Sequence, residues 1–416
     1  MSASHTRGAR ARARAALLLP LLALPVACSS SPSGRMCATQ SPDIDLFQAI
    51  QAGTLTVADG LKKVALSEGW PIEGCTGYLF ALPDPDGRLA PYSVESPSNA
   101  FPRVGMTSAG GVAWAIVPIA FPENATYVYT AFDGRVVPDL WSRRFTWDGG
   151  AQVSLVRTTA GAHFERWPQL GDVTGAIGPR ELKVWVPPQA PTRVLYAHDG
   201  QEAFGPGLAL PSLVGPATLV VGIDADPAAR LQEYQAAADF GPDGGPVGQR
   251  SNAYVDYVQN VVRPLVEGHY GRPARSALLG CGAGGSAALK QPVRFPDTWD
   301  LVAGISGDYG VGHLRATNAT LAEQWTALRS CPLGQVYLGV GGEAPDGGCR
   351  DLDGDGLWDD PPGAQDSVCQ TRQLERSLAA LGCADRLTVD QVVGGERCGA
   401  TLRTLAPRVI SRLEAP

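Results

Sequence analysis

The sequence predicts an α/β fold with a largely parallel sheet covered by helices on both faces, preceded by a smaller all-β unit. Three observations carry this. From residue 181 onward, strand-length apolar runs alternate with helical segments, the pattern of a sheet built from crossover connections. Between about 70 and 158 the runs are short, separated by turn residues, with no helix between them. At Ser276–Leu289 a buried strand passes through a tight glycine turn into a helix.

Composition sets the outer limits. The chain has 416 residues, enough for two domains and a large core. It is 44% hydrophobic, carries a net charge of −7, and holds 50 Gly and 34 Pro, which fits a turn-rich globular protein. With this charge, and no basic patch with interleaved aromatics, nothing points to a nucleic-acid partner.

Residues 1–28 read as a targeting segment. Arg7, Arg10, Arg12 and Arg14 form a basic start, Ala15–Ala27 an apolar stretch, and Ala27 stands directly before Cys28 and a Ser-rich tether over 29–42. This resembles a bacterial lipoprotein signal, although Pro25 stands where such signals usually carry Leu. The resemblance implies acylation of Cys28, a lipid anchor as the membrane partner, and an exported protein held in the cell envelope, at the outer membrane. A plain secretory peptide is the alternative.

The elements follow in order. Residues 43–69 form a helical lead-in, with apolar residues at helical spacing in Asp45–Ile50 and Leu61–Leu66 and a stop at Gly69. The all-β unit, ending at 158, contains strands over Thr76–Leu82, Gly111–Ile119, Ala125–Phe132 and Ala151–Arg157. Residues 159–180 are expected to be a linker. The second domain, 181–416, has strands at Glu181–Val186, Thr192–Tyr196, Ala217–Ile223, Ser276–Leu279, Leu301–Ile305, Gln335–Val340 and Leu387–Val393. Its helices fall near 251–267, 285–294, 318–329, 370–381 and 400–413.

Several ordered motifs carry a family resemblance. Val194–Phe204, Val220–Asp224, Arg230–Tyr234, Tyr254–Leu265 and the glycine turn at 280–284 together resemble the enterochelin-esterase and antigen-85-like branch of the α/β-hydrolases. The order of strands over 111–156 resembles the early-set immunoglobulin-like module that precedes such domains. That resemblance gives Trp114, Tyr127, Tyr129 and Trp141 two uses, core packing or saccharide contact, with core packing the expected one for most.

The family's chemistry needs a nucleophile, a base and an acid in the order Ser, acid, His. The nucleophile belongs at the centre of G-x-S-x-G on a strained strand-to-helix turn. Here the frame is Gly280-Cys281-Gly282-Ala283-Gly284, so Gly282 occupies the nucleophile position with no side chain to attack. The base position, in Gly394–Ala400, holds Arg397, which stays protonated and accepts no proton. The acid position falls nearest Glu343, with Asp346 second. Cys281 is expected to point away from the substrate face, and Ser286 lies a turn into the helix. Of the five histidines, only His313 is a candidate for the pocket.

The resemblance implies that binding features survive. The helix after the glycines presents free N–H groups that attract anions, and His198-Asp199-Gly200-Gln201 forms the second wall of the oxyanion pocket in relatives. One expectation is a pocket lined by His198, Asp199, Gly200, Cys281 and Arg397 that holds an anionic small molecule. The other is a closed site in which Arg397 pairs with Glu343 and a Cys281–Cys398 disulfide seals the turn.

Apart from Cys28, eight cysteines remain, an even number that in an exported chain points to disulfides. Cys37 and Cys75 lie together in the N-terminal part, Cys349 and Cys369 bracket an acidic loop, Cys331 and Cys383 each precede a strand, and Cys281 and Cys398 remain. Within the acidic loop, Asp351, Asp353, Asp355, Asp359 and Asp360 crowd oxygen donors, with the Leu357 carbonyl as a further ligand. Hard oxygen donors at alternate positions suit a structural Ca²⁺. Pro362 stands where an EF-hand has its closing Glu, so the loop is closer to the calcium loops of thrombospondin type 3 repeats.

Overall fold

The computed structural model describes residues 42–415 except 57–58, 61–62, 64–69, 75–76, 85–86, 88–89, 138, 140–141, 149–150, 159–160, 173, 242, 353 and 362–365. The lipid signal with Cys28, the Cys37–Cys75 pairing, Trp141 and Asp353 lie outside the described residues.

The first helix, α1 (Pro42–Gln51), buries Leu46 and Ile50 against Trp70, Ile72 and Leu79. Strands Ile72–Gly74, Gly77–Pro83, Val112–Val117 and Thr107–Ala109 form an antiparallel sheet. A second layer, including Ser93–Glu95 and Thr126–Thr130, faces it across a core of Phe80, Val94, Tyr127 and Tyr129. Tyr127 and Tyr129 are two residues apart on one strand and therefore share its inner face. Both are fully buried, so they are core residues, while Trp114 packs partly buried against the α1 cluster.

The expected linker is a strand. His163–Leu170 pairs antiparallel with Arg144–Asp148 on one side and with β1 (Arg180–Val186) on the other. Its charges disguise it in the sequence, because they are satisfied inside the protein. Glu165 pairs with Arg143 at 2.9 Å, and the Arg166 Nε donates to the Ser142 carbonyl at 2.8 Å. One sheet therefore runs through both units.

Beyond β1 come β2 (Arg193–His198), β3 (Thr218–Ile223), β4 (Arg275–Cys281), β5 (Leu301–Ile305), β6 (Gln335–Gly341) and β7 (Leu387–Val392). Their spatial order is β1-β3-β2-β4-β5-β6-β7, with β1 antiparallel and every other pair parallel. This is an α/β-hydrolase sheet with flanking helices. The helices are α2 (Gly200–Ala203), α3 (Arg230–Tyr234), α4 (Ser251–Tyr257), α5 (Arg263–Tyr270), α6 (Ala283–Arg294), α7 (Leu321–Thr326), α8 (Val368–Ala380) and α9 (Gly399–Glu414).

Side-chain alternation along β2 sends Val194 and Tyr196 to one face and Leu195 and Ala197 to the other. The first face meets Tyr234, Tyr254, Ala287 and Leu374; the second meets Leu405, Val409 and Leu413 of α9. Those three recur every fourth residue and are all buried. Truncating one such leucine to alanine costs roughly 2–5 kcal/mol. The single helix expected at 251–267 is interrupted by a π-helical turn, Val258–Val262, just before Pro264, which has no N–H to continue the ladder. Among the described residues no helix is long and apolar enough to cross a membrane.

Candidate active site

The glycine turn joins β4 to α6. Gly282 has φ 58° and ψ −130°, a backbone that side chains rarely adopt. Its N–H donates to the Ile305 carbonyl at 2.9 Å, and its own carbonyl accepts from Gly285 at 2.9 Å and Ser286 at 3.2 Å. The strained elbow conformation is thus present without a nucleophile. A Cβ placed on Gly282 would meet only the Cys398 Sγ, at 3.6 Å, an ordinary contact. A side chain fits there, and its neighbour would be a disulfide rather than an imidazole.

That disulfide is Cys281–Cys398, with 6.0 Å between Cα atoms. It ties the end of β4 to the residue before α9. Cys331–Cys383 and Cys349–Cys369 are also bridged, as the sequence led us to expect. Cys281 lies on the α9 face of the sheet with Leu279 and Ile305.

Arg397 follows the turn after β7 and is half-buried. Its guanidinium pairs with Asp308, and its Nε donates to the Ser306 carbonyl at 3.4 Å. Burial, then the nearby charge of Arg230, pushes its pKa down. The expected pairing with Glu343 is not made. Gly342 turns the chain outward at φ 111°, leaving Glu343 and Asp346 exposed, while Asp308 comes from the loop after β5. Asp308 also accepts from the Gln235 Nε2 at 2.7 Å.

The second wall also differs from expectation. Asp199, at φ 55°, receives a fork of two hydrogen bonds from Arg230, at 2.7 and 2.8 Å. A Cβ on Gly284 would lie 3.1 Å from the Asp199 Oδ2, so the chain's own carboxylate flanks the first turn of α6, where an anion was expected. Gly200 is buried at the start of α2. The His198 imidazole turns away from the α9 face and packs against Tyr234 and Tyr254, with Nδ1 2.8 Å from the Tyr254 hydroxyl. Burial, then the Arg230 charge, lowers its pKa to about 3, which keeps it neutral. The ring of His198 is therefore packed in the core, while the residue itself borders, with Asp199 and Cys281 but without Gly200 and Arg397, the cavity between α2 and α9. Arg230, Asp308 and Tyr254 are site residues that sequence reasoning did not single out.

The other candidates are elsewhere. Ser286 is fully buried in α6. His163 holds the Gly161 carbonyl at 2.7 Å and Glu165 at 3.1 Å. His269 packs on Trp167. His313, the one histidine expected at the pocket, instead bridges Asp355 of the acidic loop and Glu323 of α7, the latter at 3.2 Å. A cavity of about 360 Å³ lies between α2, the end of β4 and α9; Leu208, Leu210, Leu279 and Leu402 line it beside the disulfide.

In the acidic loop the carboxylates fold onto loop N–H groups. Asp351 accepts from Gly354 at 2.6 Å and Gly356 at 2.8 Å, Asp355 from Leu357 at 2.7 Å, and Asp359 from Leu352 at 2.8 Å. Asp360 accepts from the Cys369 N–H at 2.7 Å, and its second oxygen, Oδ2, is buried without a partner. Burial raises its pKa to about 6. Among the described residues no three acidic, histidine or cysteine side chains converge as a metal-binding group.

The fold and this elbow define a protein of the esterase type. The family described as "Putative esterase" matches residues 177–382, which take in β1 to β6 and the elbow. That match, to an α/β-hydrolase-type esterase family, is confined to the α/β unit of the chain. Among solved structures, the enterobactin esterase from Shigella flexneri is 16% identical over 81% of this chain and 92% of that one, with a TM-score of 0.43. The ferric enterobactin esterase from Salmonella typhimurium is 15% identical over 81% and 93%, with a TM-score of 0.44. A siderophore hydrolase, EstA from Aspergillus nidulans, is 18% identical over 64% and 99%, with a TM-score of 0.43. No curated protein matches the chain.

Proposed function

We propose that this protein is a pseudoesterase: an esterase-family domain that does not hydrolyse esters and serves a binding or structural role at the bacterial cell envelope. One observation carries the reading. The elbow apex is Gly282, and the atom that a side chain there would meet is the Cys398 sulfur of a disulfide. The base position adds to it, because Arg397 is a cation committed to Asp308. Of the two expectations for the old site, the closed one has more support. Asp199 and Asp308 already answer the charges of Arg230 and Arg397. An anionic small molecule or saccharide would have to displace one of these pairs.

The test is hydrolysis of a short-chain p-nitrophenyl ester by protein starting at residue 29, beside Cys281→Ala and His313→Ala. The expected rate is the uncatalysed one. Turnover that either substitution abolishes would overturn the proposal and establish a relocated catalytic centre of a working carboxylic-ester hydrolase.

Two further readings complete the proposal. Cys28 is the lipid attachment site; palmitate incorporation should be lost in Cys28→Ala. The acidic loop would hold a structural Ca²⁺ through Asp351, Asp353, Asp355, the Leu357 carbonyl, Asp359 and Asp360, which requires Asp351, Asp355 and Asp359 to turn from the loop N–H groups, and Asp355 from His313, that they engage in this structure. Its support is an all-oxygen donor set stapled by Cys349–Cys369 and the unpartnered Asp360 Oδ2, which an oxygen-seeking cation would satisfy.

A further inference from the structure

We infer that the Cys281–Cys398 disulfide is a thiol-exchange site: a low-molecular-weight thiol entering the cavity between α2 and α9 forms a mixed disulfide there. The inference goes beyond the loss of hydrolysis and stands whether or not the domain turns over an ester. It starts from placement. Both cysteines lie on the wall of the 360 Å³ cavity, and the other two described disulfides do not. A space of that size admits a small thiol but not a folded oxidoreductase. Exposure alone separates the bridges little: Cys398, Cys331 and Cys349 are each partly exposed, and the inner partner is 7% exposed at Cys281 against 0% at Cys383 and Cys369, so it is the cavity that gives a thiol its approach.

The bond also occupies a mechanical position that the others lack. It joins the residue before the elbow to the residue before α9, across 117 positions of sequence. Besides the disulfide, the segment carrying Cys398 is tied to the rest of the domain through Arg397, which pairs with Asp308 and donates from Nε to the Ser306 carbonyl at 3.4 Å; its remaining bonds are local, from the Ala400 N–H to the Glu396 Oε1 at 2.6 Å, from the Thr401 hydroxyl to the Glu396 carbonyl and from the Thr401 N–H to the Cys398 carbonyl at 2.9 Å. Just before it, Val393 is 71% exposed. Opening the disulfide would thus release the entrance to the cavity while the sheet and α9 stay packed.

The exchange balances without any oxidant. A thiolate R–S⁻ attacks the Cys398 Sγ; the R–S–S–Cys398 bond forms, the Cys281–Cys398 bond breaks, and Cys281 leaves as the thiolate. A second thiolate then releases Cys398 as its thiolate and yields R–S–S–R, so two thiols are oxidised and one protein disulfide is reduced.

The experiment uses the folded protein from residue 29 in graded reduced and oxidised glutathione, quenched with an alkylating reagent and mapped by mass spectrometry. Cys281 and Cys398 should be modified at least tenfold faster than Cys331, Cys383, Cys349 and Cys369, under conditions where circular dichroism is unchanged. A glutathione adduct should appear on Cys398 and accumulate in Cys281→Ser. Leu402→Trp, which fills the cavity, should slow the exchange severalfold. Equal rates at all three bridges, or modification only once the fold has melted, would overturn the inference. This comparison is made on the wild-type chain, so it holds even where a variant does not fold. It is also distinguishable from the ester assay, which reads no thiol chemistry.

Discussion

Replacing Gly282 with alanine tests whether the elbow is strained as the structure shows it. At φ 58° and ψ −130°, any residue with a Cβ pays a backbone cost of roughly 1–3 kcal/mol. The new methyl adds no steric term, because its nearest neighbour, the Cys398 Sγ, is at 3.6 Å. Loss of glycine freedom in the unfolded chain gives back about 0.4–1 kcal/mol. The net is a destabilisation of roughly 1–2 kcal/mol, or about 2–8 °C in Tm for a domain of this size. Urea unfolding read by circular dichroism should show a lower midpoint at an unchanged slope. Gly282→Ser should match alanine to within about 0.5 kcal/mol, since the cost lies in the backbone they share. It should also gain no ester hydrolysis, having a disulfide and a permanent cation where a base is needed. A stability equal to or above wild type would mean that Gly282 is not held at positive φ. A loss beyond about 4 kcal/mol would mean crowding that the 3.6 Å contact does not contain.

Three other outcomes follow from the same structure. Cys281→Ala/Cys398→Ala removes a bridge whose separation of 117 residues is wide. A loop of that length is worth about 4–5 kcal/mol alone, and Cys331–Cys383 already constrains part of it, so a loss of about 2–4 kcal/mol in denaturant unfolding is expected. His198 is buried and neutral with its pKa lowered to about 3, against 6.5 when exposed. Its contribution is complete above 6.5 and is lost as pH falls towards 3, because the unfolded chain takes up the proton first. The stability gap between wild type and His198→Gln should therefore shrink between those values, and a gap independent of pH would refute the assignment. For the acidic loop, Tm should be higher in calcium than in chelator, and Asp360→Asn should reduce the difference; identical melting in both would remove the metal.

The strands of the α/β unit were legible because they are unbroken apolar runs between turn signals. Leu301–Ile305 matches its predicted limits, and β4 and β6 extend theirs by one to three residues. His163–Leu170 was not legible, since its charges find partners only in three dimensions. The glycine at the elbow apex and the arginine after β7 could be read directly, because a motif frame fixes position 282 and the segment after β7 fixes position 397. Their partners could not. Glu343 was the acid nearest in sequence, but the Gly342 turn sends it to solvent, and Asp308 reaches Arg397 from another strand's end. His198 had a signal that could have found it. In β2 the residues alternate, and Tyr196 and His198 share the face opposite Leu195 and Ala197.

The persistence of the elbow needs no catalytic explanation. A Cβ on Gly280 would lie 2.1 Å from the Gly284 carbonyl oxygen, and one on Gly285 would lie 3.2 Å from the Ile305 backbone. The end of β4 and the start of α6 therefore touch backbone to backbone, and α6 reaches the sheet only because these positions are bare. Its buried face, with Ala287, Ala288 and Leu289, depends on that approach. Gly280, Gly284 and Gly285 thus serve packing here, while Gly282 is the one glycine of the turn at which an added Cβ has room. Packing and chemistry occupy different positions of the same five-residue frame. That separation lets the fold stay whole with glycine at the apex, and it is why a glycine-rich elbow by itself says how the helix sits and not what the site does.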